Sequence, residues 1–195
     1  MRRNTRMEIL ETARRLFNER GFNAVSTHDI AEALGISKGN LTYYFKKKED
    51  IIEAILEEST GSPPRTPANL EEMHAFILDM QNTVEENGFY FWHHAQLAQL
   101  SVKIQQKQSD MYKENTEKLS QAMMILKHDG IFREEAYPGE YSSMIDALLL
   151  TCIYWKPFSR LKSGETATAG YQRQAWNLLH PLLTDHGKEL LSNII

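Results

Sequence analysis

Lys38, Asn40, Thr42, Tyr43 and Tyr44 crowd into seven residues, and each can hydrogen-bond a phosphate oxygen or the edge of a base. Lys38 can donate to guanine O6 or N7, and Asn40 can pair with adenine N6 and N7. The segment holding them reads as two short helices around the turn Leu34-Gly35-Ile36-Ser37. The first opens at the polar pair Ser26-Thr27 and carries Ile30, Ala31, Ala33 and Leu34. Gly35 stands just past its end, where left-handed residues commonly terminate helices. The second begins at Ser37, whose hydroxyl can cap a free helix N–H. Two helices joined by a short Gly-containing turn form a helix-turn-helix, whose second helix enters the major groove of DNA.

Flanking patterns supply a scaffold for that pair. Ile9, Leu10, Ala13, Leu16 and Phe17 recur at helical spacing before it, with Gly21 beyond. Ile51, Ile52, Ala54, Ile55 and Leu56 follow the basic run Lys46-Lys47-Lys48. Charge is split in the same way. Residues 1–50 hold 10 basic and 7 acidic residues, a net +3, whereas residues 51–195 hold 12 and 19, a net −7. A basic head on an acidic body lets one region approach phosphates while the rest stays away from them. Thr27 and Ser37 sit at helix starts, where free N–H groups favour an anion. Lys48, at the start of the fourth helix, can clamp another phosphate, and Gly39 lets the helix backbone come close to DNA because it has no side chain. Leu41 and Phe45 are assigned to the head's core, and Arg2, Arg3 and Arg6 to an arm or a solvated terminus.

At this point the chain resembles the TetR family of bacterial transcriptional regulators. The resemblance is carried by Ala13-x-x-Leu16-Phe17-x-x-x-Gly21-Phe22 and by Thr27-x-x-Ile30-Ala31-x-x-Leu34-Gly35-Ile36-Ser37. It continues through Lys38-Gly39-Asn40-Leu41-x-Tyr43-Tyr44-Phe45-x-x-Lys48-Glu49-Asp50, so it covers about the first quarter of the chain. It implies phosphate contacts for Thr27, Ser37, Tyr43, Tyr44 and Lys48. It places Lys38, Gly39, Asn40 and Thr42 against the major groove. Many family members carry Tyr where Thr42 stands, which leaves that contact to a thymine methyl or removes it. The resemblance also implies a homodimer formed by two helices of each subunit, repression of transcription, and release by a small-molecule effector.

The expected fold is all-α: a three-helix DNA-binding head over 1–48, a connecting helix over 48–60, and a helical ligand-binding and dimerisation domain over 61–195. Gly61-Ser62-Pro63-Pro64-Arg65-Thr66-Pro67 marks the boundary, since three prolines in five residues cannot continue a helix. In the larger domain the patterns predict helices over 68–87, with Leu70, Met73, Ile77, Met80 and Val84 on one stripe, then 89–106, 109–127, 140–161 and 166–193. Pro157 and Pro181 are expected to kink the last two. Those two helices are also the expected dimer elements, through Met144, Ala147, Leu148, Thr151, Cys152 and Trp155, and through Trp176, Leu179, Leu183, Leu190 and Leu191. A DNA head reads few base pairs, so specificity requires two heads on a pseudo-palindromic operator.

Aromatic and methionine residues across 68–162 suit an apolar pocket between helices. Trp92, His93, Gln96, Tyr112, Met123 and Tyr154 are the candidates for its lining. No cofactor or metal is expected: His93 and His94 are adjacent and point about 100° apart on a helix, and His180 and His186 lie six residues apart. An enzyme is disfavoured, because the chain has no Gly-rich phosphate loop, nucleophile elbow or acid cluster at metal spacing. A non-specific architectural DNA binder is disfavoured by the acidic body, while a regulator acting mainly through a protein partner stays open. One cysteine, Cys152, excludes an intrachain disulfide. With no apolar run long enough for a membrane span and no secretory signal pattern, the expected location is cytoplasmic.

Overall fold

A computed structural model describes residues 5–59, 65–163 and 170–195. Among these the chain forms eleven α-helices and no strand. In order they are α1 (Thr5–Arg20), α2 (Thr27–Leu34), α3 (Lys38–Tyr44), α4 (Lys48–Ser59), α5 (Leu70–Glu86), α6 (Gly88–Trp92), α7 (His94–Leu100), α8 (Val102–His128), α9 (Glu140–Ser163), α10 (Tyr171–Leu179) and α11 (Asp185–Ser192). Two 3-10 turns, Phe22–Ala24 and His180–Leu182, complete the set. Most of the Gly61–Pro67 boundary, Arg2, Arg3 and the expected helix start at 166–169 lie outside the described residues.

The chain divides into two compact units. One comprises Met1–Ser62 with Asn87–Gln108, and the other Pro63–Glu86 with Ser109–Ile195. The sequence predicts one body over 61–195, whereas residues 87–108 group with the N-terminal helices. In the first unit, α1 buries Ile9, Leu10, Ala13, Leu16 and Phe17, and α4 buries Ile51, Ile52, Ala54, Ile55 and Leu56. These stripes enclose Ile30, Ala31, Leu41 and Phe45 from the helix pair between them. Phe17 extends the core to α6, with its ring centroid 5.2 Å from that of Phe89.

The second unit is built on α5, α9 and α10, which pack against one another. Leu70, Met73, Ile77 and Val84 of the expected α5 stripe are buried. Tyr171 is fully buried and donates from its hydroxyl to Met80 Sδ at 3.7 Å. The Trp176 indole N–H donates to His74 Nδ1 at 3.2 Å, with the two rings stacked. Gly187 is required by close approach, because a Cβ there would stand 2.3 Å from the carbonyl oxygen of Ile131.

Three helix expectations are corrected. The single helix over 89–106 is three pieces. His93 leaves helical geometry at φ −111°, ψ 19°, and extended Ser101 caps α8 by accepting from the Lys103 and Ile104 N–H groups. The next helix accordingly starts at Val102 rather than 109. The long helix over 166–193 is interrupted at Pro181, which has no N–H to continue it; the chain makes a 3-10 turn, and Thr184 caps α11 by accepting from Gly187 N at 3.0 Å. Pro157, by contrast, lies inside an uninterrupted α9.

Candidate nucleic-acid interface

Two caps and a left-handed residue fix the helix pair. Ser26 and Asp29 form a reciprocal capping box: Ser26 Oγ accepts from Asp29 N at 3.2 Å, and Asp29 Oδ2 accepts from Ser26 N at 2.7 Å. The hydroxyl and amide of Ser26 hold the Asp29 carboxyl below its ordinary pKa. Gly35 ends α2 at φ +65°, a conformation that suits glycine and frees the chain to turn. Ser37 then caps α3, its Oγ accepting from Asn40 N at 3.2 Å. Thr27 is the first residue of α2, with Ser26 as its cap.

On α3 only Leu41 turns inward. Lys38, Gly39, Asn40, Thr42, Tyr43 and Tyr44 are all exposed, as is Ser37. Tyr43 is 84% exposed and Tyr44 39%, their rings edge to face at 5.2 Å. The expected helix-packing residues Leu41 and Phe45 are both in the core. Thr42 donates its hydroxyl to the Lys38 carbonyl at 2.8 Å.

Beside this surface lies a cleft of about 350 Å³, lined by Asn23, Ala24, Val25, Ser26, Thr27, Lys46, Lys47 and Lys48. Its lysine wall is set by Asp50, which accepts from the backbone N–H of both Lys46 and Lys47 at 3.1 Å and so caps α4. The structure thus brings Thr27 and Lys48 to one recess. Asn23, Lys46 and Lys47 are additions to the residues expected from sequence, and the basic run Lys46-Lys47-Lys48 is the signal that marks the lysines.

Lys48, the expected phosphate clamp, lines this cleft and is also tied to the turn before α2. Its ammonium donates inward to the carbonyls of Phe22 at 2.7 Å and Val25 at 2.9 Å, and stands 3.9 Å from the Phe22 ring centroid. Burial there lowers its pKa below that of an ordinary lysine. Arg6 is likewise committed, pairing with Glu58 at 2.8 Å and lying over the Phe45 ring. It forms no arm.

The six proposed pocket residues fall into different units. Trp92, His93 and Gln96 belong to the first, and Tyr112, Met123 and Tyr154 to the second. Gln96 exchanges hydrogen bonds with the Asn23 amide, and His93 packs edge-on against Phe22. Met123 is fully buried, whereas Tyr112 donates to Asp146 at 2.8 Å and Tyr154 is 47% exposed. Trp155 is an expected member of the dimer stripe. Its indole Nε1 is buried with no hydrogen-bond partner among the described residues, and its ring lies so near Gly170 that a Cβ there would stand 2.9 Å from it.

Among the described residues no group of three His, Cys, Asp or Glu side chains is placed to hold a metal ion, and no helix is long and apolar enough to cross a membrane. Burial pushes the Cys152 thiol up to about 12, so it stays protonated and unreactive at neutral pH.

A helix-turn-helix carried on α1 and α4, followed by a second helical unit, defines a class of DNA-binding regulators. Residues 9–55 match the bacterial regulatory proteins of the tetR family, and residues 52–191 match a bacterial transcriptional repressor domain. The chain belongs to the tetR family. Over 80 residues it is 45% identical to the HTH-type transcriptional repressor KstR2 of Rhodococcus jostii, a match covering 41% of this chain and 38% of that protein. Over 139 residues it is 27% identical to the HTH-type transcriptional regulator AcrR of Shigella flexneri, covering 64% and 63%. The matched segments therefore span less than two thirds of these relatives' length. A crystal structure of a TetR-family transcriptional regulator from Marinobacter aquaeolei superposes with a TM-score of 0.86 over 98% of both chains at 23% identity, which establishes the shared fold.

Proposed function

We propose that this protein is a cytoplasmic, sequence-specific repressor of transcription that binds a pseudo-palindromic DNA operator as a homodimer and is released by a small-molecule effector. The observation that carries this reading is α3: every residue but Leu41 faces solvent, and the exposed set is made of donors, acceptors and one glycine. Lys38 and Asn40 read base edges, Gly39 permits close backbone approach, and the Thr42 methyl meets a thymine. Tyr43 and Tyr44 donate to phosphates from one end of α3, Ser37 from the other, and Thr27 from the neighbouring cleft. Lys48 lines the same cleft and keeps its remaining N–H for a phosphate.

The dimer uses α9 and the segment of α10 and α11, although much of their apolar surface is spent inside the chain. Leu148, Cys152, Trp176, Leu179, Leu183 and Leu191 are buried. What α9 leaves outside is Leu150, Tyr154, Phe158 and Leu161, a stripe at helical spacing, and this is the face a second copy would cover. The effector belongs to the second unit, where the Trp155 indole N–H lacks an acceptor among the described residues. A buried donor left unpaired costs roughly 1–3 kcal/mol, so a ligand oxygen there would gain affinity. The role is regulatory rather than catalytic, as the family is one of DNA-binding regulators.

Selection of bound sequences from a random DNA pool tests the reading. Enrichment of a pseudo-palindrome is the expected result. Binding without enrichment, lost at moderate salt, would leave only non-specific phosphate contact and refute it.

A further inference from the structure

Two indoles of the second unit are treated differently by their surroundings. The Trp176 N–H donates to His74, whereas the Trp155 N–H on α9 has neither an acceptor among the described residues nor contact with solvent. Tyr171 of α10 packs its ring 6.3 Å from that of Trp155; it is fully buried, with its hydroxyl donating to Met80 Sδ. The Phe158 ring stands 6.1 Å from Trp155 and is 53% exposed. Gly170 closes against the indole so tightly that a Cβ there would lie 2.9 Å from it. Two residues beyond Trp155, Pro157 has no N–H to give the carbonyl of Ile153, so this turn of α9 is held by one helical bond fewer.

We propose that Trp155 gates the effector site: a flat apolar molecule bearing an oxygen acceptor takes the indole N–H as the ring withdraws from Gly170, and the packing of α9 on α10 opens with it. The proposal deepens the effector reading above and rests on it. An indole nitrogen is a donor only, so the ligand must supply the acceptor. In the arrangement described here no oxygen reaches that nitrogen, because it has no solvent contact. A buried donor without a partner raises the free energy of this closed arrangement, and a ligand oxygen removes the penalty only once the ring has moved. The ligand therefore binds one of two arrangements better than the other, which a switch requires. Tyr171 is held by its burial and its bond to Met80, so the indole yields toward Phe158. Phe158 belongs to the α9 face assigned above to a second copy, and the ring's movement is passed to that face. Aromatic neighbours suit a flat apolar body.

The test uses the full chain, its indole N–H resonances, and two probes of similar shape, acetophenone and ethylbenzene, of which only the first carries a carbonyl oxygen. Loss of one resonance in Trp155→Phe assigns the Trp155 signal. Acetophenone is expected to move that signal downfield, ethylbenzene to leave it in place, and acetophenone to bind at least about fivefold more tightly. Trp155→Phe keeps an aromatic ring without the N–H, and the preference for acetophenone is expected to vanish in it. Lost packing alone would weaken both probes alike and leave the preference standing. Gly170→Ala drives the ring out with no ligand present, and is expected to weaken binding to the DNA sequence enriched from the random pool by about 5- to 150-fold. Equal binding of the two probes, an unmoved Trp155 signal, or a preference that persists in Trp155→Phe would overturn the site. Gly170→Ala that binds the operator as tightly as the unaltered chain would overturn the gate. The probe measurements need no DNA, so a chain that selects no DNA sequence would refute the regulator reading and leave the Trp155 contact standing.

Discussion

Two faces of this chain lie open to solvent, and their chemistry is opposite. On α3 the exposed residues are Lys38, Gly39, Asn40, Thr42, Tyr43 and Tyr44, groups that water satisfies as well as DNA does. On α9 they are Leu150, Tyr154, Phe158 and Leu161, with Leu161 87% exposed. Hydrated donors gain little by burial, so on the proposed reading the α3 face would draw its affinity from counterion release and from paired base contacts. The apolar face gains about 25 cal/mol for every Å² removed from water, independent of salt. The two faces therefore call for different partners, one a polyanion and the other a like apolar surface, and their responses to salt should separate.

The comparison breaks most sharply on α9. Placing charge there with Leu150→Glu and Phe158→Glu would bury unpaired carboxylates in the dimer, at a cost on the order of 3–5 kcal/mol. Sedimentation velocity should show a dimer becoming a monomer at micromolar concentration, with operator affinity falling along with it. A dimer that survives both changes would assign the interface elsewhere. A smaller effect is expected on α3, where Lys38→Ala or Asn40→Ala should each remove about 1–3 kcal/mol of discrimination at one base position. Repeating the pool selection checks this, and the sedimenting mass should stay that of the dimer. Equal losses on every sequence would mean that these side chains touch phosphate alone.

Legibility differed between the units for a physical reason. The helices α1 to α4 are short and amphipathic, so Ser37, Gly35 and the stripes of α1 and α4 mark the helix-turn-helix and the buried faces of its scaffold. The α3 surface was legible for the same reason, since only Leu41 was needed inside. Lys48 was not. A lysine before a helix reads as a surface charge, and its two carbonyl partners come from a turn more than twenty residues away. In the second unit the helices are longer and apolar on several sides, so periodicity alone could not separate the buried Leu148 and Leu179 from the exposed Leu150 and Leu161. The breaks at His93 and Ser101 were missed because neither residue is a strong helix breaker. Ser101 is drawn out of the helix by its own cap bonds and by donating to Glu53.

Changes at helix caps and ion pairs should move stability in only one unit each. Ser26→Ala removes the cap of α2 and should cost about 1 kcal/mol, seen as faster hydrogen exchange at α2 amides with α9 amides unaffected.

The smallest effect belongs to the second unit. Glu140 accepts from the Arg133 guanidinium at 2.7 and 2.8 Å and from Ala136 N at 2.7 Å. The Arg133 bonds first, and the Ala136 amide second, hold its carboxyl at about 2, below the usual 4.5. Because the folded-state value is depressed, the stabilisation is complete above about 4.5 and is lost as the pH falls toward about 2. Arg133 also donates to the Pro181 carbonyl, so the pair ties the start of α9 to the turn before α11. Glu140→Gln should therefore lower the thermal midpoint at pH 7, and the gap from the unaltered protein should narrow steadily once the pH drops below that window's upper edge. A gap that stays constant with pH would show that Glu140 contributes by packing and by neutral hydrogen bonds, not by its charge.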